Sequence, residues 1–148
     1  MALIDQINAD IKTAMKARDK DRLAALRDVK SKLLLEATAG TGEVTEAAGA
    51  KIVLKLYKQR IDTYELYIKE GREDLAADEK SQAEVIKEYL PKMLSEDEIK
   101  AEVDAAIAAT GAAGPQDMGK VMGMLSGKLA GKADGKLIAE TVKAALLK

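Results

Sequence analysis

Apolar residues in this chain return every three or four positions, and no segment alternates apolar with polar residues at period two. Such spacing gathers side chains on one face of a helix and excludes a half-buried strand. The chain therefore reads as all-α. Leu3, Ile4, Ile7, Ile11 and Met15 mark a first amphipathic helix. "RDKD" (18–21) interrupts it, and the pattern resumes from Leu23 through Leu26, Val29, Leu33 and Leu34 to Ala37, with Arg22, Arg27, Lys30 and Lys32 on the polar side. "TAGTGEVT" (38–45) reads as a loop, because threonine and glycine disfavour helix. Thr45 is the expected N-cap of a long third helix, whose stripe of Ile52, Val53, Leu56, Ile61, Tyr64 and Ile68 ends near Gly71. Residues 72–90 read as a fourth helix with Leu75, Ala76, Ala83, Ile86 and Leu90 inside, stopped by Pro91.

Ser95 and Glu98 form a capping box, "SEDE", with three acids in the first turn where the helix dipole favours them. Ile99, Val103 and Ile107 mark the buried side, and Gly111 suits a left-handed C-cap. Shorter helices are expected from about Gln116 to Leu125 and from Asp134, as N-cap, to Leu147. The hinge "YLPKMLS" (89–95) divides the chain into residues 1–92, with about four helices, and 93–148, with about three. A unit as small as the second is marginal alone.

The absences narrow the chemistry. With no Cys, His, Trp or Phe, the chain has no disulfide, no thiolate or imidazole metal site and no Ser-His or Cys-His nucleophile pair. No metal and no cofactor are implied. The formal charge is −1, so any electrostatic site must be local. Asp5 and Asp10 break the apolar pattern of the N-terminus, which argues against a signal peptide, and no run approaches the ~18 apolar residues of a membrane span. No membrane association is expected, and a cytoplasmic location is the default.

One stretch needs a compensating reason. "DMGKVMGMLSGKLAGKADGK" (117–136) places Gly119, Gly123, Gly127, Gly131 and Gly135 four apart, and all but Gly123 precede a lysine. A glycine inside a helix costs about 1 kcal/mol relative to alanine. A P-loop fails here, since three residues separate Gly123 from Gly127, Lys128 is followed by Leu129, and no strand precedes. A membrane GxxxG face fails on Lys120, Lys128, Lys132 and Lys136. Two readings remain. The glycines let helices pack closely or punctuate turns, or they open a backbone surface to phosphate. From Asp117 onward six lysines face Asp117, Asp134 and Glu140, a local charge of +3 after the acidic "SEDEIKAEVD". Lysines and helix N-termini attract a sugar-phosphate chain, and small residues let it approach. No aromatic residue lies in the stretch, so shape and backbone would be read, not stacked bases.

"MKARDKDRLAALRDVK" (15–30), "EGREDLA" (70–76), "EYLPKMLSEDEI" (88–99), "DMGKVMG" (117–123) and "GKADGKLI" (131–138) resemble the YqeY family, small proteins related to the C-terminal part of the GatB subunit of glutamine-dependent tRNA amidotransferase. The likeness runs along nearly the whole chain. It implies an N-terminal helical bundle followed by a small three-helix tail domain, with the tail gripping tRNA while other subunits carry glutaminase and amidation sites. Carried over residue by residue, Gly119, Lys120, Gly123, Gly131, Lys132, Asp134, Gly135 and Lys136 become nucleic-acid-facing or tail-shaping positions, none of them catalytic, and Lys128 joins them as a nucleic-acid-binding candidate from the basic stretch itself. Aminoacyl-tRNA amidotransferase or tRNA synthetase components are the protein partners it suggests. Family members often carry proline near the position of Gly127. A helix ending near Ser126 would leave Gly127, Gly131 and Gly135 as punctuation, while Gly119 and Gly123 pack or approach backbone.

Two rival readings stay open beside the noncatalytic tRNA-binding module. One is a protein-interaction adaptor docking through Tyr57, Tyr64, Tyr67 and an Arg22/Arg27 face. The other, carried only by the resemblance, is a component of a glutamine-dependent carbon-nitrogen ligase. A Ser-Lys site would need a buried, activated lysine, and Ser31 beside Lys32 or Ser126 near Lys128 offers no more than proximity in sequence.

Overall fold

The computed structural model describes residues 2–40 and 42–147. Thr41, within the loop expected at 38–45, and Lys148, one of the six lysines of the basic tail, lie outside the described residues. Among the described residues there are seven α-helices, one 3-10 turn and no strand, so the protein is all-α. The chain forms two compact units, Met1–Leu90 and Pro91–Lys148.

The first unit contains α1 (Leu3–Ala17), α2 (Lys20–Ala39), α3 (Glu46–Lys69) and α4 (Glu73–Lys87). "RDKD" supplies a tight turn: Arg18 takes a left-handed conformation (φ 56°) as C-cap of α1, and the Asp19 carboxylate accepts the Arg22 N–H at 3.1 Å to cap α2. α1 packs on α2, and α4 packs on both α2 and α3. Ile7, Leu26, Val29, Leu33, Val53, Leu56 and Ile86 form the core. Arg60 bridges three helices, donating to Asp28 of α2 at 2.9 Å and to Gln82 of α4 at 3.2 Å, with Glu79 at 3.7 Å. Tyr89 Oη donates to Asp10 Oδ2, and Arg22 donates to Glu88 at 2.9 Å, so the chain leaving α4 is tied to α1 and α2. Burial, then the Asp10 carboxylate, push the Tyr89 phenol above its ordinary pKa.

Three expectations need correction in this unit. Thr38 and Ala39 belong to α2 rather than the loop, because the Thr38 hydroxyl bonds back to the Leu35 carbonyl at 3.0 Å and leaves the backbone free to stay helical. α4 ends at Lys87, before Pro91. Residues 88–90 form a tighter turn in which Glu88, Tyr89 and Leu90 donate to carbonyls three residues back. Met15, Leu34 and Ile68, each placed on an apolar stripe, are 53%, 48% and 48% exposed. No residue from 57 to 75 is fully buried, so the turn end of the α3–α4 hairpin is a two-helix arm, and two helices cover only one face of each other.

The second unit contains α5 (Glu96–Thr110), a 3-10 turn (Pro115–Asp117), α6 (Met118–Lys128) and α7 (Gly135–Leu146). Both halves of the Ser95/Glu98 capping box are formed, and Gly111 terminates α5 at φ 68°. Ile99, Val103, Val121, Leu125, Leu129, Ile138 and Val142 build a core of their own. α6 does not stop near Ser126. Leu125 and Leu129 are both buried one turn apart, and the Leu129 N–H donates to the Leu125 carbonyl at 2.8 Å, so burial carries the helix through Gly127.

Candidate nucleic-acid interface

Four residues advance a point on an α-helix by about 40°, so Gly119, Gly123 and Gly127 lie along one strip of α6. Val121 and Leu125 face the core from the opposite side. All three glycines are exposed, and a Cβ built on any of them meets nothing within 4 Å. The expected packing of Gly119 and Gly123 is therefore absent within the described chain, and Gly127 is a third member of the strip, not a turn. Lys120 and Met124 flank the strip, both exposed. The outcome is a ridge of helix backbone without side chains.

Past α6 the glycines act differently. Gly131 is buried at φ 73°, a left-handed turn that L-residues with side chains rarely adopt. The Leu94 N–H donates to the Lys132 carbonyl at 2.9 Å, tying the segment before α5 to this turn. The Asp134 carboxylate accepts the Lys136 N–H at 3.1 Å and caps α7, with Gly135 as its first residue. Gly131 and Gly135 punctuate, as expected, and Asp134 holds a helix start.

The lysines also separate. Lys128 points away from the strip: its Nζ lies 2.7 Å from Glu102 Oε2 of α5, an oxygen shut off from solvent that takes no aligned hydrogen bond. That ammonium is the countercharge of a partly buried carboxylate. Lys120 reaches Asp117 only at 3.9 Å and is 71% exposed, while the Asp117 carboxylate accepts the Ala113 N–H at 2.9 Å. Lys132 and Lys136 are exposed and carry no ion pair among the described residues. α1, α2, α3, α4 and α5 each start with an acid in the first turn, whereas α6 and α7 have none. Lys120 and Lys136 stand there instead, directly after Gly119 and Gly135, and the carboxylate at each of these helix starts is the N-cap residue, Asp117 for α6 and Asp134 for α7.

The surfaces behind the rival readings are partly occupied. Arg22 is held by Glu88, Tyr57 packs against the first core, and the Lys80 ammonium sits 5.5 Å over the Tyr64 ring. Ser31 is exposed. Among the described residues no cluster of acids could hold a metal ion, and no helix is long and apolar enough to cross a membrane.

The sequence model of a family described as Yqey-like protein matches residues 4–146. The chain belongs to the YqeY family. Two relatives with the name "Altered inheritance of mitochondria protein 41, mitochondrial" are similar to this YqeY-family chain. The one from Clavispora lusitaniae is 32% identical over 101 residues, 67% of this chain and 59% of the relative. The one from Lachancea thermotolerans is 32% identical over 106 residues, 71% of this chain and 56% of the relative. The chain thus spans less than two thirds of these relatives' length. Their names correct the expected cytoplasmic location, since both are called mitochondrial. That expectation rested on a missing signal-peptide core, a criterion that speaks to secretion and not to import into organelles.

Proposed function

We propose that the second unit is a noncatalytic module that binds the sugar-phosphate backbone of tRNA, making the YqeY-family chain an accessory to tRNA amidation. One observation carries the reading: three glycines stand on the open face of α6, where each costs helix stability and none relieves a contact inside the protein. Such a ridge suits a partner backbone that must come closer than a side chain would allow. Lys120 beside it, with Lys132 and Lys136 in the turn and first turn of α7, supplies charge without internal ion pairs stronger than the 3.9 Å contact to Asp117. Gly131, Asp134 and Gly135 shape the turn that presents these lysines, and Lys128 steadies α6 against α5. The relation of the family to the GatB tail supports tRNA as the RNA and amidotransferase components as partners.

Binding of the full chain to bulk tRNA, measured across salt concentrations, tests this. Lys120→Glu/Lys132→Glu/Lys136→Glu should reduce the slope of log K against log salt by about 2 to 3. Gly119→Ala/Gly123→Ala/Gly127→Ala, which leaves charge untouched, should weaken binding while raising stability. Absence of tRNA binding, or binding indifferent to both variants, would sink the reading.

A further inference from the structure

In the first unit, α2 and α3 leave between them an open groove of roughly 610 Å³ that no residue of α1 or α4 lines. Each wall is a helix face of two turns: positions 32, 35, 36 and 39 on α2, and 52, 55, 56 and 59 on α3. Both sets follow the i, i+3, i+4, i+7 spacing by which one helix face meets another helix. Leu35, Ala39, Ile52 and Leu56 make the groove apolar, and Leu35 is 61% exposed. Lys32 stands on one wall and Lys55 on the other, both exposed and without an ion pair among the described residues, against the single acid Glu36.

We infer that this groove docks an amphipathic α-helix of a partner protein, apolar along one face for about two turns and acidic on its flanks. The eight-residue span of each wall, seven rises, is about 10 Å of helix, enough for anchors at i, i+3 or i+4, and i+7. An apolar floor disfavours phosphate, which keeps water in place of hydrocarbon. Acidic flanks would give Lys32 and Lys55 the countercharges the fold withholds. This inference concerns the first unit and does not depend on RNA binding by the second.

The test uses the full isotope-labelled chain and two synthetic peptides of about 18 residues, long enough to hold some helix. One carries leucines at i, i+3, i+4 and i+7 with glutamates flanking them; its twin has lysine for each glutamate. The acidic peptide should shift amide resonances confined to residues 32–39 and 52–59. Lys32→Glu/Lys55→Glu, at exposed positions that leave helicity unchanged, should weaken it about tenfold and reverse the preference toward the lysine twin. Leu35→Glu should abolish binding of both. No binding, equal binding of the two peptides, or affinity unchanged in the charge variant would overturn the inference. So would self-association of the chain that moves the same resonances without peptide, because it would assign the groove to a second copy.

Discussion

Ser95 and Glu98 satisfy each other's backbone groups at the start of α5, the Ser95 side chain accepting the Glu98 N–H at 3.2 Å and Glu98 Oε1 accepting the Ser95 N–H at 3.1 Å. Those hydrogen bonds hold the Glu98 carboxyl below its ordinary pKa. A depressed folded pKa gives stability that is present above the unfolded value, about 4.3, and lost as pH falls through the folded one. Acid titration of α5 helicity should show this loss beginning near the unfolded value, with Glu98→Gln removing the dependence. Ser95→Ala should cost about 1 kcal/mol of unfolding free energy. Glycines give the opposite sign. Gly119→Ala, Gly123→Ala or Gly127→Ala should each stabilise by about 0.5–1 kcal/mol in urea denaturation. Gly49→Ala should gain less, because its Cβ would lie 3.2 Å from Leu3 Cδ2 and 3.7 Å from Val44 Cγ1.

Arg60 shows what an element requires beyond its own pattern. Its guanidinium joins α2, α3 and α4, and removing it leaves Asp28 and Glu79 as partly buried carboxylates without their cation. Arg60→Leu should destabilise the first unit by about 1–3 kcal/mol in chemical denaturation, and Arg60→Lys should recover only part, lacking the planar fork. At this scale the sequence was legible where the signal is local. Thr45, Ser95, Gly111 and Asp134 cap where their chemistry says they should. It was less legible where burial competes with propensity, as at Gly127, which Leu125 and Leu129 hold inside α6. For the candidate site, lysine and glycine positions could be read directly, but a four-residue spacing is the same for a packed face and an open one. The countercharge of Lys128 comes from another helix, so no local pattern announces it.

For the molecule as a whole, two cores mean two stabilities. The second unit is near the size at which a single core suffices only narrowly, and Leu125 is fully buried in it. Leu125→Ala should cost about 2–4 kcal/mol. Hydrogen exchange should then report lost protection across α5, α6 and α7, with the amides of α1 to α4 unchanged.

The ties that close the first unit join distant parts of the chain: Asp10 and Tyr89 are 79 positions apart, and Arg22 and Glu88 are 66 apart. During synthesis at about 5–20 residues per second, α1 therefore waits roughly 4–16 s for its last partner to be added. Through that interval the nascent chain carries Ile7 and Leu26 without the cover of α4. The helices made first are the ones a chaperone or a protease meets before the fold can shut.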